Sequence, residues 1–242
     1  MKNGMKTSLS IVIPAFNEEK RLSASLDKIL SYLKERNITD YELVIVDNHS
    51  TDSTSEIIKK FCLKDKRIIY IRNKNKGKGY AIKRGVLSAK KRFILFSDAD
   101  LSTPISELDK FLNISNDYDI IIGSRKKRIA QPLYRVIFGK VFYLLVIFLT
   151  GITFKDTQCG FKLFKSKVAK QIFKLQTLNH FSFDVELLYI AKNKYKIKEF
   201  PVVWVNSKES KVEMKDSIRM FFDILKVRFN DFRGLYNVKK RI

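Results

Sequence analysis

Five short runs dominated by Ile, Val and Leu, most of them separated by segments of helical spacing, constrain this chain more than any other feature. Ser10–Pro14, Glu42–Val46, Arg67–Ile71, Phe93–Phe96 and Asp119–Gly123 read as strands too uniformly apolar to face water on either side. Lys20–Arg36, Ser53–Phe61 and Gly79–Ala89 read as intervening helices, with Asp52 placed to cap the second. Thr103 ahead of Pro104 predicts an N-cap followed by proline at the first helical position. A strand that is apolar on both faces needs a covering layer on each. The alternation therefore predicts an α/β fold, a mostly parallel sheet flanked by helices.

The rest of the chain has a different character. From Arg125 to Lys170 there are eleven Lys or Arg and a single acidic residue, Asp156. Val141–Phe154 carries no charge, but a spanning helix needs roughly 17–25 apolar residues, so a buried or interfacial helix is expected there. Near the end, Ile218, Phe221, Phe222, Leu225, Phe229, Phe232 and Tyr236 share one helical face, and Arg219, Asp223, Lys226, Asn230 and Arg233 the other. That spacing predicts an amphipathic helix. With 242 residues, 45% of them hydrophobic, the chain can build one large core, with at most an appendage. Its 48 Lys+Arg against 25 Asp+Glu leave +23, which points to a polyanionic partner, nucleic acid or an anionic membrane. Cys62 and Cys159 form neither a disulfide framework nor a zinc pattern, so a reducing compartment is expected. The first strand begins within ten residues of Met1, leaving no room for a signal peptide.

Residues that could carry chemistry gather at predicted strand ends. Ser97-Asp98-Ala-Asp100-Leu closes the fourth strand, and two carboxylates one residue apart can hold a divalent cation against phosphate oxygens. Alone, such a pair reads as two solvated turn aspartates. Pro14-Ala-Phe-Asn-Glu18 and Asp47-Asn-His-Ser-Thr-Asp52 close the first two strands, as the start of a helix and a capping cluster or as ligand loops. In an open α/β sheet these loops converge beside Asp98, where ligands bind. Asn75-Lys-Gly-Lys-Gly79 resembles a phosphate cradle without the Walker spacing; Lys78 reads as a diphosphate contact, or the segment as a basic turn.

These four elements in this order resemble a family 2 glycosyltransferase with the GT-A, Rossmann-like fold. Gly123-Ser-Arg125, Asp156-Thr-Gln-Cys-Gly-Phe-Lys162 and Phe183-Asp-Val-Glu-Leu-Leu-Tyr189 resemble its polyprenyl-phosphate branch, most like the dolichyl-phosphate beta-glucosyltransferases. The resemblance implies that Pro14, Phe16, Glu18 and Asp47 hold the nucleobase and ribose. It assigns Asp98 and Asp100 to metal and diphosphate, Lys78 to the donor-side loop, Arg125 and Arg135 to the acceptor phosphate, and Asp156 to catalysis. Mg²⁺ or Mn²⁺ is the implied cofactor. The second-strand loop usually reads Asp-Asp-Gly-Ser, and this chain has Asn48 and His49. Both tolerate left-handed backbone better than most residues, so the turn can survive. The eukaryotic relatives' leading membrane anchor is not expected here.

The reading that follows is an inverting transferase, cytoplasmic and peripheral on a membrane, moving a hexose from a nucleotide sugar to a polyprenyl phosphate. UDP-glucose is the favoured donor, with GDP-mannose and UDP-N-acetylglucosamine open. Residues 1–205 would form the GT-A domain, with 125–155 an acceptor and interface insertion, and 206–242 an amphipathic membrane-interface helix and basic tail. Asp156 is expected to orient groups more than to remove a proton. A soluble or glycan acceptor is the alternative. A nucleic-acid-binding protein is a further one, disfavoured because the Phe residues fall on helical apolar faces and not on a polar platform.

Overall fold

Strand β1 (Ser8–Ala15) is central because both its faces are apolar: Leu9, Ile11 and Ile13 point one way and Val12 the other, all essentially unexposed. The structure is a computed structural model that describes residues 7–125, 133–205 and 214–237. Six further strands join β1: β2 (Asp40–Asp47), β3 (Ile68–Arg72), β4 (Phe93–Ser97), β5 (Ile120–Arg125), β6 (Phe161–Lys165) and β7 (Ile197–Val202). Their order is β3-β2-β1-β4-β6-β5-β7. Every neighbouring pair is parallel except those of β6, which runs against both β4 and β5. Pro14 costs the sheet little, since pairing with β4 stops at Val12.

Each face of the sheet carries its own core. On one, Leu9, Ile11, Ile13, Leu43, Ile45 and Leu95 pack under α1 (Leu22–Glu35), α2 (Thr54–Lys64) and α4 (Leu108–Leu112). On the other, Val12, Val44, Val46, Ile94 and Phe96 lie under α3 (Lys78–Ser88), α5 (Leu133–Thr150), α6 (Ser166–Leu175), α7 (Phe183–Ala191) and α8 (Met214–Phe232). Gly85 lets α3 sit directly on β1, because a Cβ there would come within 2.4 Å of Val12. Deleting a large side chain from either core would cost about 2–5 kcal/mol.

Several expectations need correction. Thr103 caps no helix: Pro104 is extended (ψ 140°), and a short 3-10 turn, Ile105–Glu107, precedes α4. Asp52 lies one residue before the cap position Ser53, yet its carboxylate accepts from the Thr54 N–H at 3.0 Å and so still steadies the start of α2. Strands β6 and β7 were not foreseen. The two lysines of Phe161-Lys-Leu-Phe-Lys165 hide the first, and Pro201, tolerable because β7 is an edge strand, hides the second.

The two apolar helices differ from their patterns too. α5 stops at Thr150, where Gly151 turns left-handed (φ +64°). It buries Val146 and leaves Val141, Leu144 and Phe148 exposed. α8 packs through Ile224, Val227 and Asn230, so Asn230, assigned to the polar outer face, is buried. Phe221, Phe222, Leu225, Phe229 and Phe232 stand in solvent. Tyr236 leaves their face altogether: left-handed Gly234 (φ +71°) reverses the chain and buries it.

Among the described residues, no helix is long and apolar enough to cross a membrane. What matters for the site is direction. The parallel strands β1 to β4 deliver four loops to one edge of the sheet, and reversed β6 delivers the segment that precedes it to the same edge.

Candidate active site

The loops after β1 and β2 are zipped together by side chains. Asn17 adopts left-handed backbone (φ +51°) and its carboxamide oxygen accepts from Thr51 N–H at 2.9 Å, while its own N–H reaches Ser50 Oγ at 3.0 Å. Glu18 N–H donates to Thr54 Oγ1 and Glu19 N–H to Asp52. Asp47, fully buried, accepts from Ser50 N–H at 2.9 Å and Tyr70 O–H at 3.2 Å, so it shapes the loop and presents no open carboxylate. Phe16 projects at 40% exposure, and Pro14 is half-buried beside it. His49 takes φ +72°, the backbone a glycine would adopt, so the turn survives the Asn48-His49 variation.

Asn48 ties the third loop to this pair. Its carboxamide oxygen accepts from Gly77 N–H at 3.1 Å and Asn73 Nδ2 at 3.4 Å. Gly77 (φ +140°) has room for no side chain, since a Cβ would lie 2.3 Å from the Asn179 carbonyl oxygen. The loop so fixed aims Lys78 at the β4 turn, where its ammonium meets Asp98 Oδ1 at 2.6 Å.

Asp98 itself is held from behind. Its N–H donates to the Gly160 carbonyl at 3.2 Å, and a Cβ on Gly160 would fall 1.9 Å from Asp98 Oδ2. Asp100 accepts from Ser102 N–H at 3.0 Å and lies 3.9 Å from Arg21, which also pairs with Glu18. Leu101 between them and the next loop is left-handed (φ +48°), a strained state for a bulky residue and one that gathers at functional turns. Burial works against the Lys78 ammonium, but the Asp98, Asp184 and Asp100 charges prevail and hold its pKa above the ordinary lysine value.

Beneath lies a fully buried ion pair. Lys162 Nζ meets Asp184 Oδ1 at 2.7 Å and the Cys159 carbonyl oxygen at 2.5 Å. Burial pushes the Asp184 carboxyl up, with Lys162 and Lys78 opposing that rise. Removing either partner of such a pair costs about 3–5 kcal/mol. Glu186, two residues on, faces elsewhere: it accepts from Thr177 N–H and Oγ1, from Leu178 N–H and from Tyr236 O–H. Burial also pushes the Cys159 thiol up to about 11, which suits a packing residue and no nucleophile.

Asp156 and Arg125 sit on the far side of this edge as a bidentate pair. Arg125 Nε and Nη2 reach the carboxylate at 2.6 and 2.7 Å, and Arg125 N–H adds a third bond at 3.1 Å. Glu199 accepts from Asp156 N–H, and the Arg125 guanidinium lies 5.7 Å from the centre of the Trp204 ring. Arg135 belongs to α5, and its side chain lies outside the described residues. Sequence reasoning missed Arg21, and it quoted Gly160 and Lys162 within the Asp156–Lys162 motif without giving either a role. The Glu18-x-x-Arg21 spacing was a usable signal for the first; a buried lysine gives none.

The edge thus brings together Pro14, Phe16, Glu18, Asp47, Lys78, Asp98 and Asp100, with Asp156 and Arg125 alongside. A cleft of about 640 Å³ adjoins the site at Asp100, between α1 and residues 100–106, and is bordered also by Asp27, Glu35 and Lys28. Among the described residues no group of three or more His, Cys, Asp or Glu could hold a metal. The two aspartates of the β4 turn by themselves make a weak cation site. They suit a hard divalent ion whose remaining ligands are phosphate oxygens and water, and the Lys78 ammonium already stands on one of them as a cation.

Residues 10–173 match the family model described as Glycosyl transferase family 2. A dolichyl-phosphate beta-glucosyltransferase of Homo sapiens is 38% identical over 96% of this chain and 78% of its own length. One from Saccharomyces cerevisiae is 32% identical over the same shares. Among solved structures, mannosyl-3-phosphoglycerate synthase from Rubrobacter xylanophilus superposes with a TM-score of 0.70 at 15% identity, covering 94% of this chain and 74% of that one. Glucosyl-3-phosphoglycerate synthase from Mycobacterium tuberculosis, solved with Mn²⁺, uridine diphosphate and phosphoglyceric acid, gives 0.66 at 15% identity, over 96% and 79%. At that identity these two structures speak for the fold.

Proposed function

The chain belongs to glycosyl transferase family 2, and from that premise we propose that it transfers glucose from UDP-glucose to dolichyl or a related polyprenyl phosphate at a membrane surface. One observation carries the reading: relatives named as dolichyl-phosphate beta-glucosyltransferases align over 96% of the chain, at 38% identity in the human one. The alignment is thus not confined to the donor half.

The geometry supports these roles except that of Arg135, whose side chain lies outside the described residues; Asp47 enters by shaping its loop. The β1 and β2 loops, with Pro14, Phe16, Glu18 and Asp47, would frame the nucleoside. Asp98 and Asp100 would hold Mg²⁺ or Mn²⁺ on the donor diphosphate, where the cation neutralises charge on the leaving group. Lys78 stands where it can add a second positive charge. The acceptor phosphate, with a second pKa near 6 as in phosphomonoesters, is already a nucleophile at neutral pH. Asp156, engaged by three bonds from Arg125, is accordingly read as the residue that orients Arg125. Arg125 and Arg135 would steady the acceptor phosphate against the anionic donor.

The exposed apolar stripes of α5 and α8 are the proposed membrane contact, and the basic excess is assigned to anionic lipid, because exposed Phe residues suit acyl chains better than a solvated nucleic acid. Two free cysteines, Cys62 and Cys159, suit the cytoplasmic face. The test is incubation with polyprenyl phosphate and, separately, UDP-glucose, GDP-mannose and UDP-N-acetylglucosamine, followed by analysis of the lipid phase. Hexose entering the lipid from UDP-glucose alone is the expected result. Transfer only to a soluble glycan, or only from another donor, would overturn it.

A further inference from the structure

We propose that Lys78 is the resident cation of the β4 turn: its ammonium occupies Asp98 while no divalent ion is bound, yields it when one arrives, and is then retained by Asp184, which Lys162 holds in place. The proposal rests on the reading of Asp98 and Asp100 as cation ligands.

Three observations carry it. First, Lys78 Nζ lies 2.6 Å from Asp98 Oδ1, so a divalent ion and this ammonium would compete for one carboxylate. Second, the carboxylate is bounded on one side and its backbone is tied. Gly160 packs so closely against it that a single added carbon would overlap Oδ2, and Asp98 N–H is tied to the Gly160 carbonyl. The Lys78 backbone is equally fixed, with Gly77 and Gly79 wedged against Asn179 and Phe183. The exchange is accordingly a movement of the lysine side chain on a fixed backbone.

Third, a receiving anion is already in place. Gly79, next to Lys78, packs against the Phe183 side chain, next to Asp184, and the two charges act on each other. Asp184 is itself pinned by Lys162, which the Cys159 carbonyl fixes in turn. Asp98, Lys78, Asp184 and Lys162 form an alternating series of charges, and inserting a divalent ion at one end displaces the lysine along it. From there the ammonium remains available to the donor diphosphate. Asp184 and Lys162 are positioning residues in this scheme, since neither needs to touch substrate.

The experiment is a titration of the full chain with Mn²⁺ alone, reading free Mn²⁺ by electron paramagnetic resonance, repeated with UDP present. Without UDP, Lys78→Met should bind Mn²⁺ about tenfold more tightly than the unaltered protein, the scale of one removed neighbouring charge. Asp184→Asn should weaken Mn²⁺ binding in the presence of UDP, and should have no such effect when Lys78 is already Met. A purely structural Asp184 would weaken both backgrounds alike, which would overturn its part. Unchanged or weaker nucleotide-free Mn²⁺ binding by Lys78→Met, with Asp98→Asn abolishing binding, would overturn the exchange. Asp98→Asn that binds Mn²⁺ normally with UDP would instead remove the reading on which the proposal rests.

Discussion

His49 shows how a single backbone angle links sequence to site. At φ +72° it pays the left-handed penalty that a glycine avoids, about 1–2 kcal/mol for a residue with a Cβ. Glycine gives back about 0.5–1 kcal/mol through its looser unfolded chain. His49→Gly should therefore stabilise the protein by about 0.5–1 kcal/mol in urea unfolding; a loss of stability would show that the imidazole makes a compensating contact. Gly160 makes the opposite case. Gly160→Ala should fold yet lose activity by about a hundredfold, the usual consequence of displacing a reacting group by an ångström, and UDP should no longer promote Mn²⁺ binding. The left-handed turn was legible in the residue types, and Asp98 and Asp100 in their spacing. The embrace of Asp156 by Arg125 was not, because the two lie 31 residues apart and meet only through β5 and the segment before β6.

Elements were legible where their periodicity was undisturbed. The five apolar strands and first three helices stand within a few residues of expectation, since burial on both faces of the inner strands leaves little freedom in their composition; edge strand β3 is only half-buried. Strand β6 escaped because Lys162 is buried, satisfied by Asp184 from an element that sequence cannot place beside it. α8 was foreseen as a helix, but its buried seam of Ile224, Val227 and Asn230 runs between the faces that hydrophobicity marked out.

The joint of α2 with β3 offers a pH test. Asp65 accepts from Arg67 Nε, Nη2 and N–H and from Tyr41 O–H. The Arg67 hydrogen bonds, opposed by burial, hold the Asp65 carboxyl down to about 2 from 3.8. A depressed carboxylate stabilises the fold above its unfolded pKa, and that contribution is lost as pH falls from near 4 through about 2. Asp65→Asn should thus cost about 1–2 kcal/mol at pH 7, with the difference closing toward pH 2. A gap that stayed constant across that range would mean packing, not charge, holds the joint.

At the scale of the whole molecule, the catalytic edge and the exposed apolar stripes belong to one compact unit: α5, α7 and α8 share a core with β4. Each Phe inserted in lipid contributes roughly 1.5–3 kcal/mol that salt does not remove. Each basic residue contributes roughly 1 kcal/mol, screened beyond about 8 Å at physiological salt. Binding to anionic liposomes should therefore retain a salt-resistant fraction. Replacing Phe222, Phe229 and Phe232, which stand 62, 59 and 91% exposed, with Ser should abolish that fraction without unfolding the protein. Unchanged retention would move the contact to Val141, Leu144 and Phe148 of α5.

The central claim is that a glycosyl bond is made to a lipid phosphate with a nucleoside diphosphate as leaving group. Its most direct test is to identify both products of UDP-glucose and polyprenyl phosphate by mass spectrometry. The account predicts one hexose added to the lipid monophosphate and one UDP released for each. Release of UMP with a sugar-diphosphate lipid, or UDP release with no glucosylated lipid, would contradict it.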